Sequence, residues 1–484
     1  MDLHVKDIAK LISVVLIVIA VSMLIPAAAS LCWHDVPSLR AFGLSILICG
    51  VPGAAGFLAL RKNRNVLTMR DSLAVIALSW IFAAAAAAVP YLISGTTDSF
   101  ISAFFEFVSA LTTTGATDFA NEKVFPQSML FWRSFCQWLG GAGILVLLSP
   151  LLRYLNPGAA VLMKNETPGY LLSQQEAKAT DSAKKLYLLY ICVTLLQVLL
   201  YIPAGIEPFD AMTLAFATAP TAGRVYATNS IAAFGGVYTE IVSAVSMIVA
   251  SLNFVAFSYI AGGNFRGFLK NTEIRVFFGI LAAGSTIIVF SLICSGTYAV
   301  PQALRYGIFH SVSFLSTTGV SSVDISGWPS LAKTVLTMLT FIGGCSMSTA
   351  GALKIIRIVI LWKLLRRSFT VRLHPSAVES VRVSGKVLNK TVLNSVVAFF
   401  FTYAALFLLG VFVISFESAD VLSAFTSSAA LLNNIGSGFG QMGLDACYSD
   451  FSGVMKLFMC LLMLAGRLEL YAVILFFNPK RREI

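Results

Sequence analysis

Ten apolar stretches, most of them near the length that crosses a lipid bilayer, recur along the whole of this 484-residue chain. They run over about 11–31, 39–60, 72–94, 128–152, 186–204, 238–262, 273–295, 331–363, 392–416 and 452–478. A hydrocarbon core about 30 Å thick takes roughly 20 helical residues. In lipid every backbone polar group must be satisfied internally, and runs of this length do so as helices. The expectation is an all-α polytopic membrane protein. Composition agrees: charged residues are 12% of the chain and mean hydropathy is +0.84. That is about half the charge of a soluble domain, which excludes an ordinary soluble enzyme. The runs at 128–152 and 331–363 adjoin Gly-rich stretches and suggest interrupted helices.

The net charge is +11. In a soluble chain that balance suggests nucleic acid. Here the basic residues collect in alternate loops, so no nucleic-acid partner is expected. Lys6, Lys10, Arg61, Lys62, Arg64, Arg70, Arg153, Lys164, Lys178, Lys184, Lys185, Arg266, Lys270 and Arg275 fall on one side, with the cluster from Lys354 to Lys390 and the tail Lys480, Arg481 and Arg482. Arg40, Lys123, Arg133, Arg224, Arg305, Lys333, Lys456 and Arg467 fall on the other. The asymmetry places both termini in the cytoplasm. Lys6 and Lys10, an apolar run and Pro26-Ala27-Ala28-Ala29-Ser30 also resemble a cleaved leader. The second apolar run follows so closely that a retained helix fits better. The eight cysteines form no CxxC pair, and four scattered histidines make no metal cluster.

Between spans, the segments near 98–120, 208–225, 303–322 and 420–440 are apolar but short, and each ends in a Thr, Asn and Gly cluster. A helix that stops at such a cluster and turns back is re-entrant. The four align without gaps as seven residues ending in glycine: SALTTTG (Ser109–Gly115), ATAPTAG (Ala217–Gly223), SFLSTTG (Ser313–Gly319) and ALLNNIG (Ala430–Gly436). Twelve residues before each glycine stands a small residue, Ala103, Ala211, Gly307 or Ala424, followed by apolar Phe104, Met212, Ile308 or Phe425. Repetition at this period is an architectural signal. The chain divides into a two-helix segment at 1–69 and helix–re-entrant loop–helix repeats at 70–165, 166–265, 266–375 and 376–484.

Four such units around one axis put four glycine-centred loops at one level. A ring of main-chain carbonyls there can replace the water shell of a monovalent cation. The candidate ring is Thr112, Thr113, Thr114 and Gly115; Pro220, Thr221, Ala222 and Gly223; Ser316, Thr317, Thr318 and Gly319; and Asn433, Asn434, Ile435 and Gly436. Glycine admits φ values and close approaches that other residues avoid. The C-terminal end of each short helix turns its partial negative charge toward the centre. The plainer reading, small residues packing helices closely, would suffice for one loop but not for four aligned copies.

Two further features stand out. Arg467 lies about 15 residues into the last span, where a charge costs about 2.5–3.5 kcal/mol to insert. It should face water or a partner, Glu469 being the nearest candidate. The stretch Gly343, Gly344, Cys345, Ser346, Met347, Ser348, Thr349, Ala350 and Gly351 sits inside an apolar run too long for one straight span. A break there leaves a loop within the membrane; an ordinary kinked helix is the alternative.

The chain resembles the Trk/Ktr/HKT superfamily of potassium transporters, nearest its bacterial TrkH/TrkG branch. The residues that carry this are Phe104-Phe105-Glu106 through Thr112–Thr117 (TTTGAT), FWRSFCQWLGGAGI (Phe131–Ile144), GGCSMSTAG (Gly343–Gly351) with Lys354 and Arg357, LLNNIGSGFG (Leu431–Gly440) and AGRLELY (Ala465–Tyr471). The resemblance implies four membrane–pore–membrane repeats in one subunit, a homodimer in a bacterial inner membrane, and potassium uptake. It implies K+ at Thr113, Thr114, Thr221, Ala222, Thr317, Thr318, Asn434 and Ile435. It also implies a gating loop at Gly343–Gly351, a pore barrier at Arg467, and a cytoplasmic nucleotide-binding regulator. No organic cofactor is expected. Met347 and Ala352 stand where the family usually carries glycine, so Met347 could act instead as a hydrophobic plug. Loop two departs further. Pro220 fixes φ and removes a donor, and Arg224 should lower the cation concentration at the mouth. Glu106, Asp118 and Glu122 read as a polar rim there that could offset it.

Other classes remain. An ion-coupled symporter also uses broken helices, but usually with inverted repeats and paired intramembrane acids. A less selective cation channel fits the atypical loop two. An enzyme lacks a nucleophile–base pair. The basic stretch Arg357–Lys390 suits membrane lipid head groups or a docked regulator.

Overall fold

The structure is a computed structural model. It describes residues 4–63, 65, 67–120, 122–143, 179–226, 230–261, 263–374, 380–383, 386–438 and 447–470. The expected spans over 144–152 and 471–478, the basic residues Arg64, Arg153, Lys164, Lys178, Lys480, Arg481 and Arg482, and the divisions at 165 and 375 lie outside the described residues.

Among the described residues the chain is all-α apart from one pair of two-residue strands, Arg382–Val383 antiparallel with Lys386–Val387. Helices α1 (Val5–Ser22), α2 (Leu24–Cys32) and α3 (Val36–Leu60) precede the repeats. Repeat one is α4 (Met69–Ile93), α5 (Phe100–Leu111) and α6 (Gln127–Gly141). Repeat two is α7 (Ala179–Tyr201), α8 (Pro208–Thr218) and α9 (Val237–Ser251), followed by the short α10 (Phe257–Ala261) and α11 (Phe265–Lys270). Repeat three is α12 (Thr272–Cys294), α13 (Val300–Leu315), α14 (Ser330–Ile342) and α15 (Ile355–Leu373). Repeat four is α16 (Lys390–Ile414), α17 (Val421–Leu432) and α18 (Gly453–Arg467). Among the described residues, six helices are long and apolar enough to cross a membrane.

The re-entrant helices start and stop on local signals. Ser99 and Asp420 cap α5 and α17 by accepting from Ser102 N and Ser423 N. Proline occupies the first turn of α8 and α13, where a missing N–H costs nothing. All four end in one motif. The residues two and one before the loop glycine bond back to the last turn: Thr113 N to Ala110 O and Thr114 N to Ser109 O, Thr221 N to Thr218 O and Ala222 N to Ala217 O. Thr317, Thr318, Asn434 and Ile435 repeat the pattern. This is the Schellman closure, which needs a left-handed residue.

Packing closes the repeats into a circle. The helix after each loop packs on the next re-entrant helix: α6 on α8, α9 on α13, α14 on α17, and α18 back on α5. Trp80, Tyr91, Phe107 and Trp132 are buried where the N-terminal helices meet repeats one and four. Phe277, Phe314 and Leu336 are buried between repeats two and three. The expected single span 238–262 is not one helix. It breaks after Ser251 at Leu252-Asn253. The first expected span is met by the continuous apolar run Val5–Cys32, in which Met23 keeps helical backbone between α1 and α2. The run 331–363 is interrupted, with no helix between Ile342 and Ile355.

Candidate ion pathway

The four loop glycines all take left-handed φ: Gly115 at +78°, Gly223 at +73°, Gly319 at +73° and Gly436 at +75°. Each stands against the carbonyl of the residue before the next loop's glycine. A Cβ on Gly115 would overlap Ala222 O, and one on Gly223 would overlap Thr318 O. A Cβ on Gly319 would overlap Ile435 O, and one on Gly436 would overlap Thr114 O. The sequence of contacts runs from loop one to two, three, four and back to one. That closure joins the four glycines and the carbonyls of Thr114, Ala222, Thr318 and Ile435 in one ring of contacts, with the rest of the candidate residues Thr112–Gly115, Pro220–Gly223, Ser316–Gly319 and Asn433–Gly436 adjoining it along the chain.

Sequence reasoning assigned backbone freedom to the glycines alone. The residue two before each is left-handed as well: Thr113 at +56°, Thr221 at +57°, Thr317 at +59° and Asn434 at +55°. For a β-branched residue this is a true outlier, and such conformations cost on the order of 1–3 kcal/mol. Glycine would remove the strain but also the side chains, which are in use. Thr113 Oγ1 accepts from Arg467 Nη1 at 3.2 Å. Thr221 Oγ1 donates to Thr349 Oγ1 at 3.3 Å. Thr317 Oγ1 accepts from Gly351 N at 2.7 Å. Asn434 Nδ2 donates to Thr114 Oγ1 and Met463 O, at 3.0 and 2.9 Å.

Those partners belong to the second layer. The segment Gly343–Lys354 touches loops two, three and four directly and loop one through Arg467. Gly351 approaches Asn433 O so closely that a Cβ would overlap it. Arg467 donates from Nη1 to Thr349 O at 2.9 Å, and from Nη2 to Gly140 O at 2.8 Å and Gly141 O at 3.2 Å. It thus ties the segment to loop one and to the end of α6. Glu469 pairs with Arg357 on α15, whose guanidinium also stacks over Phe399. Met347 at +56° and Ala352 at +58° adopt the left-handed backbone that glycine takes most readily.

What holds this segment was missed in the sequence. The break after Ser251 frees two carbonyls, and the segment uses them: Cys345 N donates to Ser251 O at 2.8 Å and Thr349 N to Ala250 O at 3.2 Å. Glu273, at the start of α12, accepts from Ser346 N at 3.1 Å, Ser346 Oγ at 2.8 Å and Asn253 Nδ2 at 3.0 Å. The available signals were the polar Ser251 and Asn253 inside an apolar run and a lone acid heading another. Removing the carboxylate leaves the buried Ser346 N–H and hydroxyl without their acceptor, each worth about 1–3 kcal/mol unmade. Glu273→Ala is therefore expected to raise protease cleavage of this segment, read by timed proteolysis in detergent.

Of the two readings of the acids near Arg224, a charge that offsets it and a plain solvated rim, Glu122 fits the first. Glu106 is fully buried and pairs with Arg133. It also accepts from Thr117 Oγ1 at 2.9 Å and Asp118 N at 3.0 Å, on the ascending limb of loop one. Glu122 is buried between Arg224 Nε at 2.9 Å and Arg133 Nη1 at 4.0 Å. Burial pushes the Glu122 carboxyl up, but the two guanidiniums hold it below the ordinary glutamate range. Asp118 pairs with Lys456. Arg224 therefore presents no uncompensated charge, and its expected repulsion of cations is offset. Arg133, Arg224, Arg305 and Lys456, four of the eight basic residues on the minority side, each face a carboxylate.

A circle of four re-entrant helices, closed within one chain, defines a multi-pass helical transport protein of the membrane. The family model for TrkH, described as "Cation transport protein", matches residues 39–482. The chain is 31% identical over 483 residues to the Trk system potassium uptake protein TrkH of Vibrio parahaemolyticus, covering 98% of each. It is 30% identical to TrkH of Escherichia coli K12, covering 99% of each, and 29% identical to that strain's TrkG. The crystal structure of the potassium transporter TrkH from Vibrio parahaemolyticus superposes with a TM-score of 0.89, at 29% identity and 99% coverage of both chains. The chain belongs to the TrkH family of cation transport proteins. It is a multi-pass membrane transporter of bacterial type, not an enzyme.

Proposed function

We propose that the chain takes up potassium across the cytoplasmic membrane through a single-subunit pore. The ion passes between the four loops, where main-chain oxygens of Thr113, Thr114, Thr221, Ala222, Thr317, Thr318, Asn434 and Ile435 take the place of water. The observation that carries this reading is the ring in which each filter glycine abuts the next loop's carbonyl. The relatives named as potassium uptake proteins support the identity of the ion. The segment Gly343–Gly351, with Arg467, is the gate. Two copies form a homodimer in contact with membrane lipid. A cytoplasmic nucleotide-binding subunit controls the gate from the side that carries Arg357–Lys390 and both termini.

The test is tracer flux in liposomes with potassium, rubidium, sodium and lithium compared. Potassium and rubidium should pass ahead of sodium and lithium by about tenfold or more, as dehydration by carbonyls implies. No second gradient should be needed. Equal passage of all four would reduce the reading to a general cation pore. Saturating flux that requires a sodium or proton gradient would replace it with symport.

A further inference from the structure

Loops one and three are braced from within. Ser109 Oγ donates across the loop to Ala116 O at 2.6 Å, and Ser313 Oγ does the same to Val320 O at 2.5 Å. A second hydroxyl pair spans each turn, Thr112 with Thr114 and Ser316 with Thr318, both at 2.7 Å. Loop four is braced from outside, by Tyr403 OH on Asn433 Oδ1 at 2.6 Å and by the Asn434 amide. In loop two the matching positions are Ala217, Pro220 and Ala222, none of which carries a donor or acceptor beyond the backbone.

The residue after the glycine takes over. In loops one and three its carbonyl accepts from the serine. In loop two that carbonyl, Arg224 O, accepts from Gln137 Nε2 on α6 at 3.2 Å. The Arg224 N–H donates to Ala222 O at 2.9 Å, the carbonyl that faces Gly115. The Arg224 side chain reaches Glu122, and Glu122 adjoins the Arg133–Glu106 pair that fastens the ascending limb of loop one. One buried network therefore holds the limbs of two adjacent loops.

We propose that Arg224 is the positioning residue of the second filter loop: by clamping its ascending limb to repeat one it sets the Ala222 carbonyl, and with it the discrimination between cations. This rests on reading the four loops as the filter. The competing role for Arg224 is a purely electrostatic one at the mouth, and the two roles predict opposite patterns. Arg224→Ala removes a positive charge; Glu122→Gln removes a negative one. The first removes the clamp's donor, and the second reduces the ion pair to a neutral hydrogen bond, so both weaken the clamp.

Purified wild type, Arg224→Ala, Glu122→Gln, the double variant and Arg224→Ala with Ala217→Ser are compared in liposomes for potassium-to-sodium flux ratio at low and high salt. Each single variant should lower the ratio by about threefold or more at both salt levels, and the double variant should lose no more than one of them, as coupled positions do. Ala217→Ser supplies the missing serine and should restore part of the ratio lost in Arg224→Ala. Restoration also shows that the variant folds. An unchanged ratio in Arg224→Ala, with flux that rises only at low salt, would overturn the clamp and leave the filter standing. So would opposite shifts in the two single variants. A wild type that passes no alkali cation would remove both.

Discussion

Gly223→Ser is expected to abolish cation flux while leaving the protein folded. The side chain would collide with the Thr318 carbonyl, a backbone atom that no rotamer change can move. On the proposed reading, moving that oxygen removes one ligand from the ring. A loss of about 3 kcal/mol at an ion site is roughly a hundredfold in occupancy. Left-handed backbone also penalises serine, by about 1 kcal/mol. Gly205→Ser separates the two effects. Gly205 has φ of +78° and no atom within 4 Å of the place a Cβ would take, so it carries the strain without the collision. Tracer flux should survive there and vanish at 223. Flux and selectivity intact in Gly223→Ser would end the assignment of these loops as the filter.

Arg467→Gln is expected to raise flux in the absence of any regulator, by up to about a hundredfold. The estimate follows from Coulomb's law: two unit charges about 6 Å apart at an effective dielectric of 20 repel by roughly 3 kcal/mol. The guanidinium also makes four bonds that join the Gly343–Lys354 segment to loop one and α6. Glutamine cannot make them all, so the segment should loosen as the barrier falls. Arg467→Lys keeps the charge but not the fork. It should keep the barrier and lose the anchoring, so protease sensitivity rises without a matching rise in flux. Flux in Arg467→Gln at or below that of wild type would show that this residue does not bar the path.

The repeat and its loops were legible because glycine and threonine recur in register, and register is a property of sequence. Where Gly343–Gly351 interrupts a long apolar run was legible for the same reason. The supports were not. Nothing local marks the carbonyls of Ala250 and Ser251 as acceptors for a segment about 100 residues away, because any residue brings a carbonyl and only the broken helix exposes it. Glu106 and Glu122 read as rim because a lone acid near a loop is usually solvated. Only the fold reveals that Arg133 is buried with them and that the partly exposed Arg224 reaches in to Glu122. The left-handed Thr113, Thr221 and Thr317 were hidden by their own chemistry, since β-branched residues are poor candidates for that backbone. Their strain is tolerated where their hydroxyls are needed.

The broken helix of repeat two carries a consequence for any opening of the path. While the Gly343–Lys354 segment is seated, Cys345 N and Thr349 N satisfy the carbonyls of Ser251 and Ala250. If it swings away, those oxygens are left bare at membrane depth, where an unmet polar group costs several kcal/mol. Only incoming solvent can meet them on that face. A dry, lipid-tight vestibule is thus incompatible with a displaced segment, and opening and wetting become one event. Osmolytes too large to enter should then act as closing agents, in proportion to the volume of water that the vestibule must draw in.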